Sequence, residues 1–124
     1  MKKIFWRTFI GLATIYAFFT LIRDWPAYKE IDHKITTSSF ERSIAAHTED
    51  IKRNPRDPWN YSTRARIYTE AKRYDEAIAD RLKSMEVDKN FDFYTLDDLS
   101  ALYLLKGDIA RAREYLSRAK RLAP

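Results

Sequence analysis

The strongest constraint on the fold is an internal repeat in the second half of the chain. The sequence RIYTEAKRYDEAIADRLKSMEVD begins at Arg66, and the similar sequence ALYLLKGDIARAREYLSRAKRLA begins 35 residues later, at Ala101. Small residues fall on small residues across this offset, and aromatic residues on aromatic ones. The matched pairs are Ala65 and Ser100, Tyr68 and Tyr103, Ala77 and Ala112, Ser84 and Ala119, and Val87 and Leu122. A repeat of this length is typical of solenoids, in which each unit is one supersecondary element that stacks on its neighbours.

Each unit is predicted to form two helices. Asp57 and Pro58 supply an N-cap and a first-turn proline for the first unit, and Gly107 separates the two helices of the second. The whole chain has only two glycines and four prolines, which favours helix over sheet. The predicted helices cover about 58–71, 74–87, 93–106 and 108–122. The predicted fold class is therefore all-α, with a short α-solenoid of about two and a half helical hairpins.

Small residues recur where the second helix of each unit is expected to meet its neighbours. Ala112 and Ala119 lie seven residues apart on one helical face, and a larger side chain there would overpack the contact. Helix propensity alone would also favour alanine, but the matching residue Ser84 is not a strong helix former. We predict that eight positions pack the repeats together: Ala65, Tyr68, Ala77, Ser84, Ser100, Tyr103, Ala112 and Ala119.

This pattern resembles the tetratricopeptide repeat (TPR) family. At the motif positions the first unit has Tyr61, Arg64-Ala65, Tyr68, Ala77, Arg81, Ser84 and Lys89, and the second has Leu96, Leu99-Ser100, Tyr103, Ala112, Leu116, Ala119 and Pro124. The resemblance covers about residues 58–124, with repeats at 58–92 and 93–124. It departs from the family pattern at Arg64 and Arg81, where apolar residues are usual, and by one extra residue in the loop 89–92.

A half repeat is predicted before the two full units, which occupy residues 57–124. At an offset of 34, Phe40, Ser43 and Ile44 align with Tyr74, Ala77 and Ile78. Residues 38–56 are therefore predicted to form a half-repeat capping helix. Residues 26–37 are too polar and too short for a convincing first helix, so we expect a partly helical juxtamembrane linker there.

The last predicted helix has no polar capping helix after it. Because solenoids need capped ends, we expect its apolar stripe to be partly open, as a surface for a partner or for self-association. The stripe consists of Ile109, Ala112, Leu116 and Ala119.

The N-terminal sequence MKKIFWRTFIGLATIYAFFTLIRDW predicts a single transmembrane helix that precedes the solenoid. Residues 4–22 contain one charge, Arg7, and extend about 28 Å as a helix, close to the hydrocarbon thickness of a bilayer. Arg7 is near the start and can reach the headgroups, and Trp6 and Trp25 flank the span as interfacial aromatics do. We expect residues 1–25 to be an uncleaved anchor. The alternatives are a cleaved signal peptide, for which no small-residue cleavage site follows, and a buried core helix.

Basic residues around this segment predict its orientation. Lys2, Lys3 and Arg7 precede the apolar run, whereas Arg23 and Lys29 follow it. The positive-inside rule then favours a cytoplasmic N-terminus. The predicted location is a membrane crossed once, with the repeats extracytoplasmic, in the periplasm if the protein is bacterial.

No motif for catalysis or for cofactor or metal binding occurs in the sequence. The absence of cysteine excludes disulfides and thiolate zinc sites, and His33 and His47 are not at ligand spacing. Asp97 and Asp98 are adjacent, so on a helix they point about 100° apart, as expected of a solvated or groove-lining face. Beyond residue 25 the chain has 19 basic and 17 acidic residues, so its net charge is weak support for nucleic-acid binding. We predict no enzymatic activity, no cofactor and no nucleic-acid partner.

The resemblance to TPR proteins implies a peptide-binding concave face along the first helix of each unit. Family members that clamp a C-terminal carboxylate use Lys, Asn and Arg at such positions. Here Asp97 occupies one of them and asparagine none, so we expect a short face with aromatic anchors and mixed charge, and we reject a carboxylate-clamp chaperone function. The face consists of Trp59, Ser62, Arg66 and Thr69 in the first unit and of Tyr94, Asp97, Ala101 and Leu104 in the second.

These features predict a non-enzymatic, membrane-tethered TPR adaptor or scaffold. It would bind a protein partner, of the membrane or the envelope, and support the assembly or stability of a membrane or envelope complex. Two alternatives stay open. One is a constitutive accessory subunit that contacts a larger membrane complex through the transmembrane helix, and the other is a secreted TPR module released by signal cleavage.

Overall fold

The structure is a computed structural model that describes residues 2–122, with side chains from residue 13 onward. All regular elements in this part of the chain are helices. They are α1 (Lys2–Arg23), α2 (Pro26–Arg53), α3 (Pro58–Glu70), α4 (Tyr74–Val87), α5 (Phe93–Lys106) and α6 (Ile109–Leu122). The chain divides into two compact units, Met1–Ser38 and Ser39–Pro124.

The N-terminal unit contains α1 and the first part of α2. Pro26 stands at the first position of α2, where its missing N–H has no helical partner to lose. Lys34 and Glu30, one turn apart on α2, form an exposed ion pair of 2.9 Å. The side chains of α1 that the structure describes include five large exposed apolar ones, Ile15, Tyr16, Phe18, Phe19 and Leu21.

No helix among the residues with described side chains is both long enough and apolar enough to cross a bilayer. A span needs about 20 consecutive apolar residues, whereas the side chains of α1 are described only from Ala13 to Arg23 and α2 carries charges from Lys29 onward. The predicted location, a single-pass membrane protein with extracytoplasmic repeats, is therefore wrong. Trp25 is exposed, and the side chains of Trp6 and Arg7 lie outside the described residues.

One helix, α2, occupies the segment in which a linker and a separate half-repeat helix were predicted. No proline or glycine lies between Pro26 and Pro55, so nothing in the backbone chemistry ends the helix before residue 54. The end of α2 packs within the second unit, since Ile44 is buried and Glu41 pairs with Arg73 at 3.0 Å.

Helices α3 and α4 form one hairpin, and α5 and α6 form the next. Asp57 caps α3 by accepting a hydrogen bond from the backbone N–H of Trp59 at 3.0 Å, and Asp92 caps α5 by accepting one from Thr95 at 3.1 Å. The core lies between the hairpins, and Leu96 and Leu99 are its largest fully buried side chains. Around Leu99 it consists of Ala77, Ile78, Leu102, Tyr103 and Ala112, with Tyr68, Tyr74, Met85 and Tyr115 packed against them.

Both hairpins turn through a left-handed residue at the same repeat position. Lys72 has φ +59° and Gly107 has φ +87°. The next N–H in each unit closes the turn at 2.8 Å, from Arg73 to the Tyr68 carbonyl and from Asp108 to the Tyr103 carbonyl. Glycine adopts this conformation without cost from a Cβ atom, whereas lysine does not.

In each hairpin, a serine hydroxyl on one helix donates a hydrogen bond to a backbone carbonyl oxygen of the other helix. Ser100 on α5 donates to the carbonyl oxygen of Ala112 on α6 at 2.8 Å, and Ser84 on α4 donates to that of Pro58 on α3 at 3.1 Å. Both bonds need a small residue on the buried face, and alanine, which is also small, takes the matching position in the other unit.

Candidate binding groove

A groove lies between the first helices of the two hairpins, α3 and α5. Its volume is about 200 Å³. Its apolar part consists of Leu102, which is buried, and of Leu105 and Ala101, which are exposed. The full lining is Arg66, Thr69, Arg81, Asp98, Ala101, Leu102 and Leu105. The groove is therefore a part-apolar surface with charged side chains at its edges, open to solvent.

Arg81 of α4 reaches this groove and links α4 to α5. Its guanidinium contacts the Asp98 carboxylate at 2.7 Å, and the exposed fractions of the two side chains are 16% and 53%. The buried Nε of Arg81 has no hydrogen-bond partner among the described residues. Asp98 thus holds the arginine through one carboxylate oxygen while half of its own side chain stays accessible.

The second unexpected arginine, Arg64, lies in the packing between helices and not in the groove. It donates to both carboxylate oxygens of Asp80, at 2.6 and 2.7 Å, and to the Thr48 hydroxyl at 2.8 Å. The hydrogen bonds to Asp80 raise the pKa of Arg64 above its ordinary value. The arginines that depart from the family pattern are therefore both paired with a carboxylate on a neighbouring helix.

Other polar groups on α3 are already engaged within the helix or the hairpin. Arg66 pairs with Glu70, one turn later, at 3.3 Å. Thr69 donates to the carbonyl of Ala65 at 2.9 Å. Ser62 shares a hydrogen bond of 2.7 Å with Ser84, so its hydroxyl is not free for a ligand.

The predicted concave face divides into two sets in the structure. Arg66, Thr69 and Ala101 line the groove together. The others lie on the same helices outside its lining: Trp59, Tyr94, Asp97 and Leu104 are exposed, and Ser62 is half-buried. Trp59 contacts the ring of His47 edge to face, with centroids 5.7 Å apart.

Four lining residues were missing from the predicted face: Arg81, Asp98, Leu102 and Leu105. Three of them, Asp98, Leu102 and Leu105, lie on α5 at helical spacing. Each is one position after a residue of the predicted row, which is Asp97, Ala101 and Leu104. The signal that could have found Arg81 was its charge at a motif position where apolar residues are usual. Such a charge must meet a partner when its helix packs.

The eight predicted packing positions lie inside the second unit. Seven of them are buried, namely Ala65, Ala77, Ser84, Ser100, Tyr103, Ala112 and Ala119. Tyr68 is half-buried beneath the guanidinium of Arg73, whose central carbon is 4.7 Å from the ring centroid. On α6, the predicted stripe separates into the buried alanines and the exposed residues Ile109 and Leu116.

The described residues offer no site for a metal ion, since no three of their His, Asp or Glu side chains cluster suitably. His33 is exposed in the N-terminal unit. His47 lies 3.4 Å from the side-chain oxygen of Asn60 through Nδ1.

Comparisons with known proteins place this fold in a family. No protein-family model matches the chain. Over 52 residues the chain is 43% identical to Hsp70-Hsp90 organizing protein 2 of Arabidopsis thaliana, a match that covers 42% of this chain and 9% of that protein. It also matches the solved structure of the TPR2B domain of yeast Sti1 in its complex with pHsp70. The TM-score is 0.59 and the identity 33%, over 71% of this chain and 70% of the yeast chain.

The chain belongs to the tetratricopeptide repeat family. This confirms the repeat architecture predicted from the 35-residue offset, while neither match supports a membrane-anchored type. The match spans about a tenth of the length of the Arabidopsis relative. The TPR assignment therefore carries the repeat fold.

Proposed function

We propose that this TPR protein is a non-enzymatic adaptor that binds a segment of a protein partner in the groove between α3 and α5. The observation that carries this proposal is the groove, in which exposed Leu105 and Ala101 lie between charged edges. An apolar floor with a few polar groups suits a peptide, because the apolar contacts supply affinity and the polar ones fix orientation. The Sti1 domain of the same fold was solved as a complex with pHsp70.

We further propose a role for each segment of the chain. Residues 38–56 would act as a half-repeat cap, and 57–124 as the two binding repeats. Trp59, Tyr94, Asp97 and Leu104, which are exposed beside the groove, would extend the contact beyond its lining, whereas Ser62 would act in packing.

Site-specific photocrosslinking of the full chain tests the proposal. A photoreactive residue replaces Ala101 in the groove or, as the control, Ala79, which is exposed on α4 outside the groove lining. We expect a protein to be captured from position 101 and not from 79, and the capture to be lost when Leu105→Asp is added. Capture that is equal at the two positions, or unaffected by Leu105→Asp, would contradict the proposal.

Hsp70 is a candidate partner on one specific observation, the likeness to the Sti1 domain that binds pHsp70. The name of the Arabidopsis relative points to Hsp70 and Hsp90 as well. A binding titration of the full chain with the Hsp70 peptide of the Sti1 complex tests this candidate. Saturable binding that Leu105→Asp removes would support it, and no binding would exclude it.

Self-association through α6 is a second proposed use of this chain, supported by the exposure of Ile109 and Leu116. Sedimentation equilibrium compares the full chain with Leu116→Asp. A dimer that becomes a monomer in the variant would support self-association at this stripe, and an unchanged mass would contradict it.

A further inference from the structure

The charges that line the groove or lie beside it on α5 are unequally satisfied. Arg66 is paired with Glu70 at 3.3 Å, and Arg81 with Asp98 at 2.7 Å. Asp97 has neither an ion pair nor a hydrogen bond with any described side chain. Both cations of the groove therefore already have a partner, whereas the carboxylate of Asp97 on α5 has none among the described side chains.

Helix capping does not account for these acids. The N-terminus of α5 is already capped by Asp92, which accepts from the backbone N–H of Thr95. Stabilisation of acids by the helix dipole is confined to about the first turn. Asp97 and Asp98 lie in the second turn of a helix that begins at Phe93.

An aromatic ring stands beside the two carboxylates. Tyr94 precedes Asp97 and Asp98 by three and four residues, so all three lie on neighbouring positions of one helical surface. Its ring is exposed and held against that of Phe93, with centroids 4.0 Å apart. A carboxylate next to an aromatic face attracts a lysine or arginine side chain through charge and through the cation–π interaction.

The surrounding sequence increases this negative potential. Residues 86–98 contain five acidic residues and one lysine. An acidic side chain placed on Tyr94 would lie next to Asp97 and Asp98, and like charges in such positions oppose binding.

We propose that the groove selects peptides that carry a basic residue and a large apolar residue about three positions apart. The basic side chain lies against Tyr94, Asp97 and Asp98, and the apolar side chain on Ala101 and Leu105. The spacing follows from geometry: seven residues of helix, from Asp98 to Leu105, rise about 10.5 Å, and three residues of extended peptide span about 10 Å. This inference rests on the proposed function and specifies its ligand.

Selection of a phage-displayed random peptide library on the full-length chain tests the inference. We expect the enriched peptides to combine Lys or Arg with Leu, Ile, Phe or Trp at the stated spacing. Asp97→Asn should weaken the binding of an enriched peptide about tenfold in a low-salt fluorescence anisotropy titration, as expected for loss of a charge-assisted contact. The matched control is Glu114→Gln, which removes the same charge on α6 and should leave the affinity unchanged.

The outcomes separate this inference from the proposed function. Enrichment of acidic or uncharged peptides that still need Leu105 would overturn the inference and leave the binding groove in place. Tighter binding of the Hsp70 peptide than of the basic peptides would overturn it in the same way, as would equal affinity for the chain and Asp97→Asn. If Leu105→Asp leaves the binding of every enriched peptide unchanged, the groove is not the site and both proposals fail.

Discussion

At the residue scale, each hairpin has a residue in the left-handed conformation where its first helix ends. The two repeats place different side chains in this conformation. The position is Lys72 in one unit and Gly107 in the other, and the closing hydrogen bonds have the same length of 2.8 Å. A left-handed conformation costs a residue with a Cβ atom about 1 kcal/mol relative to glycine. The first hairpin therefore carries a local cost that the second avoids.

Substitutions at these two positions are predicted to change the free energy of unfolding in opposite directions. Lys72→Gly should raise the free energy of unfolding by about 0.5 kcal/mol, because relief of the left-handed conformation exceeds the added entropy of the unfolded chain. Gly107→Ala should lower it by about 1 kcal/mol, although a Cβ atom there meets no neighbour within 4 Å. Urea unfolding measures both, and effects of equal sign would contradict the account.

The buried ion pair of Arg64 and Asp80 is the second prediction at this scale. Their side chains are 16% and 9% exposed, so Arg64→Met leaves a buried carboxylate without its partner. We expect a loss of about 3 kcal/mol in the free energy of unfolding, since breaking one side of such a pair is costly. The double variant Arg64→Met with Asp80→Leu should recover most of it, as measured by urea unfolding. A double variant that is no more stable than Arg64→Met would show that the loss has another cause.

At the scale of the helices, close approach within each hairpin depends on small residues. The Ala112 carbonyl accepts from Ser100 at 2.8 Å, and the Ala112 side chain is buried, whereas Ala110 on the same helix is exposed. Ala112→Leu should therefore lower the free energy of unfolding by about 2 kcal/mol through overpacking. Ala110→Leu is the matched control and should change it little. Equal effects of the two substitutions would mean that α6 does not pack closely on α5.

The ends of the four hairpin helices could be predicted because local signals mark them: the cap Asp57, the glycine at 107 and the 35-residue offset. The continuity of α2 could not, because its first part is polar and only the later part, near Ile44, has a buried side chain. The groove was predicted in part, from Arg66, Thr69 and Ala101. The rest depends on the rotation of α5 about its axis, which places Asp98 and not Asp97 opposite Arg81, a residue on another helix.

At the scale of the whole molecule, the likeness to the solved yeast structure covers 71% of the chain. The N-terminal segment shows that apolar composition alone does not predict which structure a segment forms. Ile15, Phe18 and Phe19 are apolar and exposed, and their apolar character predicted a membrane span that the described helices do not contain. An apolar run indicates that its surface is unfavourable in water, but it does not indicate which structure buries that surface.

The central claim is that a protein segment binds between α3 and α5, and methyl NMR of the full chain, titrated with the partner captured from position 101, tests it most directly. We predict that the methyl resonances of Ala101, Leu102 and Leu105 shift together and saturate, while those of Ala79 and Ala110 stay in place. Shifts confined to α6 or to the N-terminal unit, with none at the three groove residues, would contradict the claim.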